Sequence, residues 1–363
     1  MATTGPAERT SDGPGHGDRP RAYLGSFTTA GGLGITTAAV DPATGALTPL
    51  HSTDAVPNPS YLVPDPGTRR LYAVSETPDG AAAAFRLTPE GPELLAPATP
   101  VDGADPTYLT LTAGHLVTAN YSSGTVSTLP VRADGTLGGP PRVLAHQGSG
   151  PRADRQEGPH LHAVLPDPSG RWLLSVDLGT DAVRVCTLDP ASGTLSVRGE
   201  TRLRPGSGPR HLAFHPGGEL ACVINELDPT VTLCRWDAAQ GTLTPLGETP
   251  LLPEGAAGTA APTYPSALVL SRDGRFAWAA NRGDDSIAVL SLDAGAGTAA
   301  LVTTVPCGGH WPRDLALHPS GRHLYTANER SGDVTWFALD PRTGVPTRGG
   351  SVPAPAASCV VFA

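Results

Sequence analysis

The 363-residue chain contains no lysine, so all 25 of its fixed side-chain cations are arginines. No side-chain amine is available for a Schiff base, which excludes that route of covalent catalysis. Cysteine is sparse and unpatterned. Cys186, Cys222, Cys234, Cys307 and Cys359 are odd in number, lack CxxC spacing and mostly sit among apolar residues. They read as buried thiols of a reducing, cytoplasmic compartment rather than as disulfides or a metal site. No stretch is long and apolar enough to span a bilayer, and a formal charge of −9 argues against a nucleic-acid partner. Helical periodicity is missing from the body of the chain. A phosphate loop is missing too: Gly31-Gly32-Leu33-Gly34 has neither a following helix nor a GK[ST] ending and reads as a hairpin feature.

What is present is a repeat of roughly fifty residues. Gly208-Pro209-Arg210-His211-Leu212-Ala213-Phe214-His215-Pro216-Gly217-Gly218 runs on to Asn225-Glu226, and Trp311-Pro312-Arg313-Asp314-Leu315-Ala316-Leu317-His318-Pro319-Ser320-Gly321 runs on to Asn328-Glu329. Looser copies begin at Pro59, Pro106, Leu161 and Pro265. Each unit reads as four strands. Asp-Pro-x-x-Gly turns recur at Asp41–Gly45, Asp189–Gly193 and Asp340–Gly344, where Pro presets φ and Gly supplies a positive φ. Tyr23-Leu24-Gly25-Ser26-Phe27 reads as the second strand of a seventh unit whose first strand is Cys359-Val360-Val361-Phe362. The expectation is an all-β, seven-bladed propeller over residues 21–363, its four-stranded antiparallel blades closed into a ring by both chain ends. Residues 1–20, polar and without an apolar run, are expected to be a disordered tail rather than a signal peptide.

In such a blade the first strand lines the channel and the second returns beside it. The residue after the Pro anchor therefore neighbours the residue sixteen later, at one mouth. The pairs are Ser60 with Glu76, Arg210 with Glu226, Ser266 with Arg282, and Arg313 with Glu329. His162 holds this position in the third unit, beside Asp177 where other units have Asn, and Thr107 falls near Asn120 and Tyr121. His162, Arg210 and Glu226 on adjacent blades form the expected catalytic group. His160, His211, Glu76, Asp177, Asn225, Arg282, Arg313 and Glu329 are expected to bind substrate. His160 would share a strand face with His162, and the Arg313–Glu329 pair is equally open to reading as a structural tie. His215 and His318 fall in turns at the opposite mouth. A polar, concave ring of this kind suits a small anion. No cofactor or metal is expected, although Asp177, Asn225 and Glu226 offer oxygen donors that suit a hard cation.

The opening Tyr23-Leu24-Gly25-Ser26-Phe27-Thr28, then Pro159-His160-Leu161-His162, Gly208-Pro209-Arg210-His211 with Asn225-Glu226, and Trp311-Pro312-Arg313-Asp314 together resemble the lactonase family of seven-bladed propellers. The likeness covers nearly everything after the tail. One departure is Ser26-Phe27, where the family commonly has Thr-Tyr; a hydroxyl is lost from that ring position. The resemblance implies hydrolysis of a sugar lactone, 6-phospho-D-glucono-1,5-lactone first, at a site built on His162, Arg210 and Glu226. His162 would be the base, with Glu226 orienting it or acting as the alternative base. Arg210 would hold the oxyanion or the phosphate, with Arg282 and Arg313 as further phosphate ligands. A cycloisomerase acting on a muconolactone would use the same residues, and a non-catalytic binding platform is the reading from another class.

Overall fold

The computed structural model of the chain describes residues 20–255 and 262–363; the expected tail lies outside them except for Pro20. The second strand of each unit is the most apolar, and it is buried along nearly its whole length, as in Leu220–Asn225 and His323–Asn328. The outermost strands, such as Leu195–Arg202, alternate towards solvent. That gradient is what radial packing requires: inner strands are covered on both faces by neighbouring blades, outer strands on one.

Seven four-stranded antiparallel sheets result. Blades 1 to 6 begin with Leu62–Asp65, Pro106–Thr112, Leu161–Pro166, Pro209–Phe214, Tyr264–Leu270 and Pro312–Leu317. Blade 7 runs Ala357–Phe362, Arg21–Ser26, Ile35–Val40, Leu47–Thr53, so the first strand comes from the C-terminal end, as expected. Blade 1 adds a short strand, Thr99–Pro100, paired with its third strand.

Apolar wedges fill the spaces between blades. One holds Trp172, Val176 and Leu174 of blade 3 against Val223 and Trp236 of blade 4. Polar latches add direction. Tyr72, Trp172, Trp278 and Tyr325 each donate from the ring to a backbone carbonyl in a turn of the next blade, at Gly135, Ala238, Gly344 and Gly45, over 2.7–3.0 Å. His215 and His318 sit in turns, each accepting a backbone N–H within its own turn at its Nδ1.

One irregularity recurs where it matters. In five blades the first strand carries a single extra residue opposite its neighbour: Thr107, His162, Arg210, Arg313 and Ser358. A bulge of this kind bends the strand and re-aims its side chains. At Arg210 and Arg313 it brings the extra residue and the next one, His211 and Asp314, to a cavity in the channel.

Candidate active site

Backbone hydrogen bonds fix the mouth of the channel. Glu76, Glu226 and Glu329 each donate their N–H to a carbonyl two residues before the inward-turned position, at Asn58, Gly208 and Trp311. Gly208 makes the tight entry possible: its φ is +62°, and a Cβ there would lie 2.4 Å from Leu227 Cγ. The sixteen-residue spacing thus translates into side-chain pairs across each hairpin.

Glu226 is the electrostatic centre. Its carboxylate meets Arg155 Nη2 at 2.7 Å, Arg282 Nη2 at 2.8 Å and Arg210 Nε at 3.0 Å. The Arg210 contact compensates charge without hydrogen-bond alignment, since both Arg210 Nε and Glu226 Oε2 lack an aligned partner. Burial alone would raise the Glu226 pKa, but Arg282, Arg210 and Arg155 overcome it and hold the group at about 2. Arg210 is under the opposite strain. Burial and the nearby Arg282 charge push its guanidinium down to about 9 despite Glu226, so an incoming anion would relieve it. Arg313 bridges Glu329 at 3.1 Å and Glu76 at 3.5 Å, and lies 4.6 Å above the Phe27 ring. Ser60 donates to Glu76. Phe27 therefore replaces a hydroxyl with a face that holds a cation.

Below this ring, His162 packs edge-on against His211 and Tyr121, with ring centroids 5.3 and 5.6 Å apart. Burial and the charges of Arg210 and Arg313 hold its pKa well below the usual imidazole range, so it is neutral at neutral pH. Its Nδ1 is buried and has no hydrogen-bond partner. His211 is likewise held neutral, by burial and Arg210. Tyr61 stacks on Tyr108 at 4.3 Å, and Tyr108 meets His211 edge-on at 5.4 Å, plugging the channel. The enclosed cavity is about 10 Å³, bordered by Ser60, Glu76, Arg210, His211, Arg313 and Asp314 among others. That is room for about one water molecule. A lactone does not fit within it, and His162 and Glu226 do not border it. Larger grooves of about 520 and 530 Å³ contain none of these residues.

Of the residues expected here, His162, His211, Arg210, Glu226, Arg282, Arg313, Glu329 and Glu76 come together. Three expected substrate-binding residues, Asn225, Asp177 and His160, do not. Asn225 is fully buried and donates to Thr230 and Thr232 of the third strand, at 2.9 and 3.0 Å. Asp177 is fully buried as well, accepting from Arg184 Nη1 at 2.8 Å and the His160 N–H at 2.9 Å. Both tie strands within a blade, so they do not converge with Glu226 on a common cation. His160 lies ahead of the strand and so does not share a face with His162; it stacks on the far side of Tyr121 at 4.6 Å, at the rim. The residue missed altogether is Arg155. It sits in the 146–160 segment between blades 2 and 3, outside the repeat. The visible signal was that segment's length and its Arg152-Ala153-Asp154-Arg155-Gln156-Glu157 charge run on the channel-mouth side of the strands.

Comparison with known proteins gives a consistent picture. The family described as "Lactonase, 7-bladed beta-propeller" matches residues 21–362. A 6-phosphogluconolactonase of Bacillus subtilis is 32% identical over 326 residues, 89% of this chain and 92% of that one. A 6-phosphogluconolactonase of Formosa agariphila is 29% identical, over 89% of this chain and 93% of its own. Among solved structures, a periplasmic gluconolactonase of Pseudomonas aeruginosa superposes with a TM-score of 0.88 at 32% identity, covering 94% of this chain and 98% of that one.

Proposed function

The chain belongs to the seven-bladed β-propeller lactonase family, and from that premise we propose that it hydrolyses 6-phospho-D-glucono-1,5-lactone to 6-phosphogluconate, as in the pentose phosphate pathway. The observation that carries this reading is the concentration of unmet polar capacity on three neighbouring residues. His162 Nδ1 is buried with no hydrogen-bond partner among the described residues, and Arg210 Nε and Glu226 Oε2, 3.0 Å apart and ion-paired, are not aligned to bond each other, which marks a place made for a polar ligand. Around them, four arginines (155, 210, 282, 313) face three glutamates (76, 226, 329), one positive charge in excess among these seven, which Asp314 nearby offsets only in its ionised form.

His162, neutral and partnerless, takes one proton from the attacking water as its oxygen bonds to the lactone carbonyl carbon. Arg210 stabilises the oxyanion that forms. Collapse breaks the bond from that carbon to the ring oxygen, which receives the proton back from His162. The product acid then ionises, and one proton leaves per turnover. Glu226, held ionised by three guanidiniums, is too weak a base for the first step; it positions the cations. The phosphate falls to Arg282 and Arg313, whose planar forks match it. The five buried free thiols support a cytoplasmic site of action.

The test follows loss of fresh lactone by NMR, with 6-phosphogluconolactone, unphosphorylated gluconolactone and muconolactone compared. The phosphorylated lactone should be hydrolysed fastest, and His162→Ala should lower kcat by about a hundredfold or more. A variant at the wild-type rate removes His162 as the base, and no acceleration of any lactone ends the reading. Because the ring stays neutral in the fold, kcat/KM should stay level as pH falls through 6.5, the ordinary imidazole value. A break there would mean a solvated histidine.

A further inference from the structure

Asp314 is the one carboxyl group bordering the small cavity beside Arg210 that no arginine or histidine pairs with among the described residues. Glu76 is clasped by Arg313 and Ser60. Asp314 instead accepts the backbone N–H of Val360, in the closing strand, at 3.1 Å. The bulge at Arg313 turns it to the channel side of its strand. Beneath this cavity a second one, about 300 Å³, opens at the opposite mouth and is bordered by Leu315, Leu317, Val360 and Phe362. Among the described residues only two border both cavities, Tyr61 and Asp314. They form the septum between the chambers.

We propose that Asp314 is a proton relay, accepting the proton set free when the lactone opens and passing it to water in the lower chamber, away from the mouth through which substrate enters. The proposal rests on the lactonase reading. The balance is simple: the new carboxylic acid gives its proton to the Asp314 carboxylate, which returns it to solvent before the next turnover. Of the two septum groups, Tyr61 is held well above its ordinary pKa by burial and cannot exchange a proton near neutrality. Asp314 can: burial raises it to about 7, against the Val360 N–H and the Arg210 and Arg313 charges that pull it down. The other titratable groups facing it are Glu76 and His211 across the upper cavity, Tyr61 and Tyr108 in the plug, and Cys359 on the closing strand. Of these, burial raises Glu76 and the tyrosines, and burial and Arg210 keep His211 neutral. The Cys359 thiol is pushed up by burial and stays protonated. None matches the task.

The test is kinetic. In weak buffer, Asp314→Asn should lower kcat about tenfold or more, with kcat/KM within about twofold, because the relay acts after the ring has opened. Wild-type kcat should decline as pH falls through about 7, where the relay becomes protonated, and the variant should lose that limb. Added imidazole should restore most of the lost rate by carrying the proton itself, which a merely structural defect would not allow. Asp314→Asn with wild-type kcat and pH profile, or a slow variant that imidazole leaves slow, overturns the relay. Wild type that accelerates no lactone overturns instead the reading beneath it. Carbon-13 NMR of aspartate-labelled wild type needs no variant: one carboxyl carbon should titrate near pH 7, and none doing so between about 6 and 8 overturns the proposal.

Discussion

Glu226 carries more of the site than any other side chain, because three arginines converge on its single charge. Glu226→Gln keeps the shape and removes that charge, leaving three guanidiniums crowded together, two of them buried. Breaking a buried ion pair by one partner costs about 3–5 kcal/mol, so the variant should lose that much in urea unfolding at neutral pH. The pH dependence has a definite sign. Glu226 is depressed from 4.5 to about 2 in the folded chain, so its stabilisation is complete above about 4.5 and is lost as pH falls through about 2. Asp314 and Glu76, raised by burial, act in the opposite sense in both proteins and cancel in the difference. The wild-type minus variant gap should therefore be constant above pH 4.5, shrink below it and vanish only below about 2; a gap that does not shrink between pH 4.5 and about 2 assigns the loss to packing. The same scale explains why Asn225 and Asp177 were mistaken for site residues. Both lie one position before the inward-facing residue, and sequence spacing cannot tell a side chain aimed at the channel from one aimed at the next strand. For Asn225 recurrence was the clue: a letter repeated from blade to blade, as in Asn120 and Asn328, serves the blade; Asp177, the departure at that position, gave no such sign.

At the scale of the element, the repeat is legible because its irregularity is itself repeated. A bulge at the same place in five of the first strands, those of Arg210 and Arg313 among them, keeps the sixteen-residue pairing of Arg210 with Glu226 and Arg313 with Glu329, so these could be matched by counting. Arg155 could not, since no periodicity governs an inter-blade loop. Nor could the Tyr61–Tyr108–His211 plug, which depends on how far bulged strands lean inward. The latches between blades make a separate prediction. Trp278 donates to the Gly344 carbonyl at 2.7 Å, and Gly344 has a φ of +71° with Phe276 Cδ1 only 2.7 Å from where a Cβ would sit. Gly344→Ala combines left-handed backbone strain with overlap in a packed seam, and should cost about 2–4 kcal/mol. Trp278→Phe leaves that buried carbonyl without its donor, at about 1–2 kcal/mol. Both changes lie at the opposite face from the site, so kcat should stay within about twofold while the urea midpoint falls. A large loss of kcat at full stability would mean that the two faces communicate.

At the scale of the molecule, the ring holds only if blade 7 is completed by Ala357–Phe362. This strand supplies Ala357 and Val360 to one inter-blade core and Cys359 to the next, so it closes two seams at once. Each fully buried apolar side chain contributes about 1.5–3 kcal/mol, and a whole domain is stable by only about 5–15. Ending the chain at Ala356 would remove those side chains, bare the inner edge of Arg21–Ser26, and take away the Val360 N–H that Asp314 accepts. No folded monomer should be recovered by circular dichroism and size exclusion. That result alone would not separate ring closure from simple loss of core, but the register offers a rescue. Ala22 lies opposite Phe362, and the Ala363 N–H donates to the Arg21 carbonyl at 3.3 Å. The closing strand therefore ends where Arg21 begins. Residues 357–363 can be moved ahead of Arg21 through a short hairpin turn, in place of the tail, with no change in pairing. If strand pairing closes the ring, this rearranged chain should fold, and it should regain lactone hydrolysis because Ser358 and the Asp314 anchor return to the channel. A rearranged chain that stays unfolded would show that closure needs the strand delivered from the sixth blade, as the last step of folding rather than as a hairpin formed at the start.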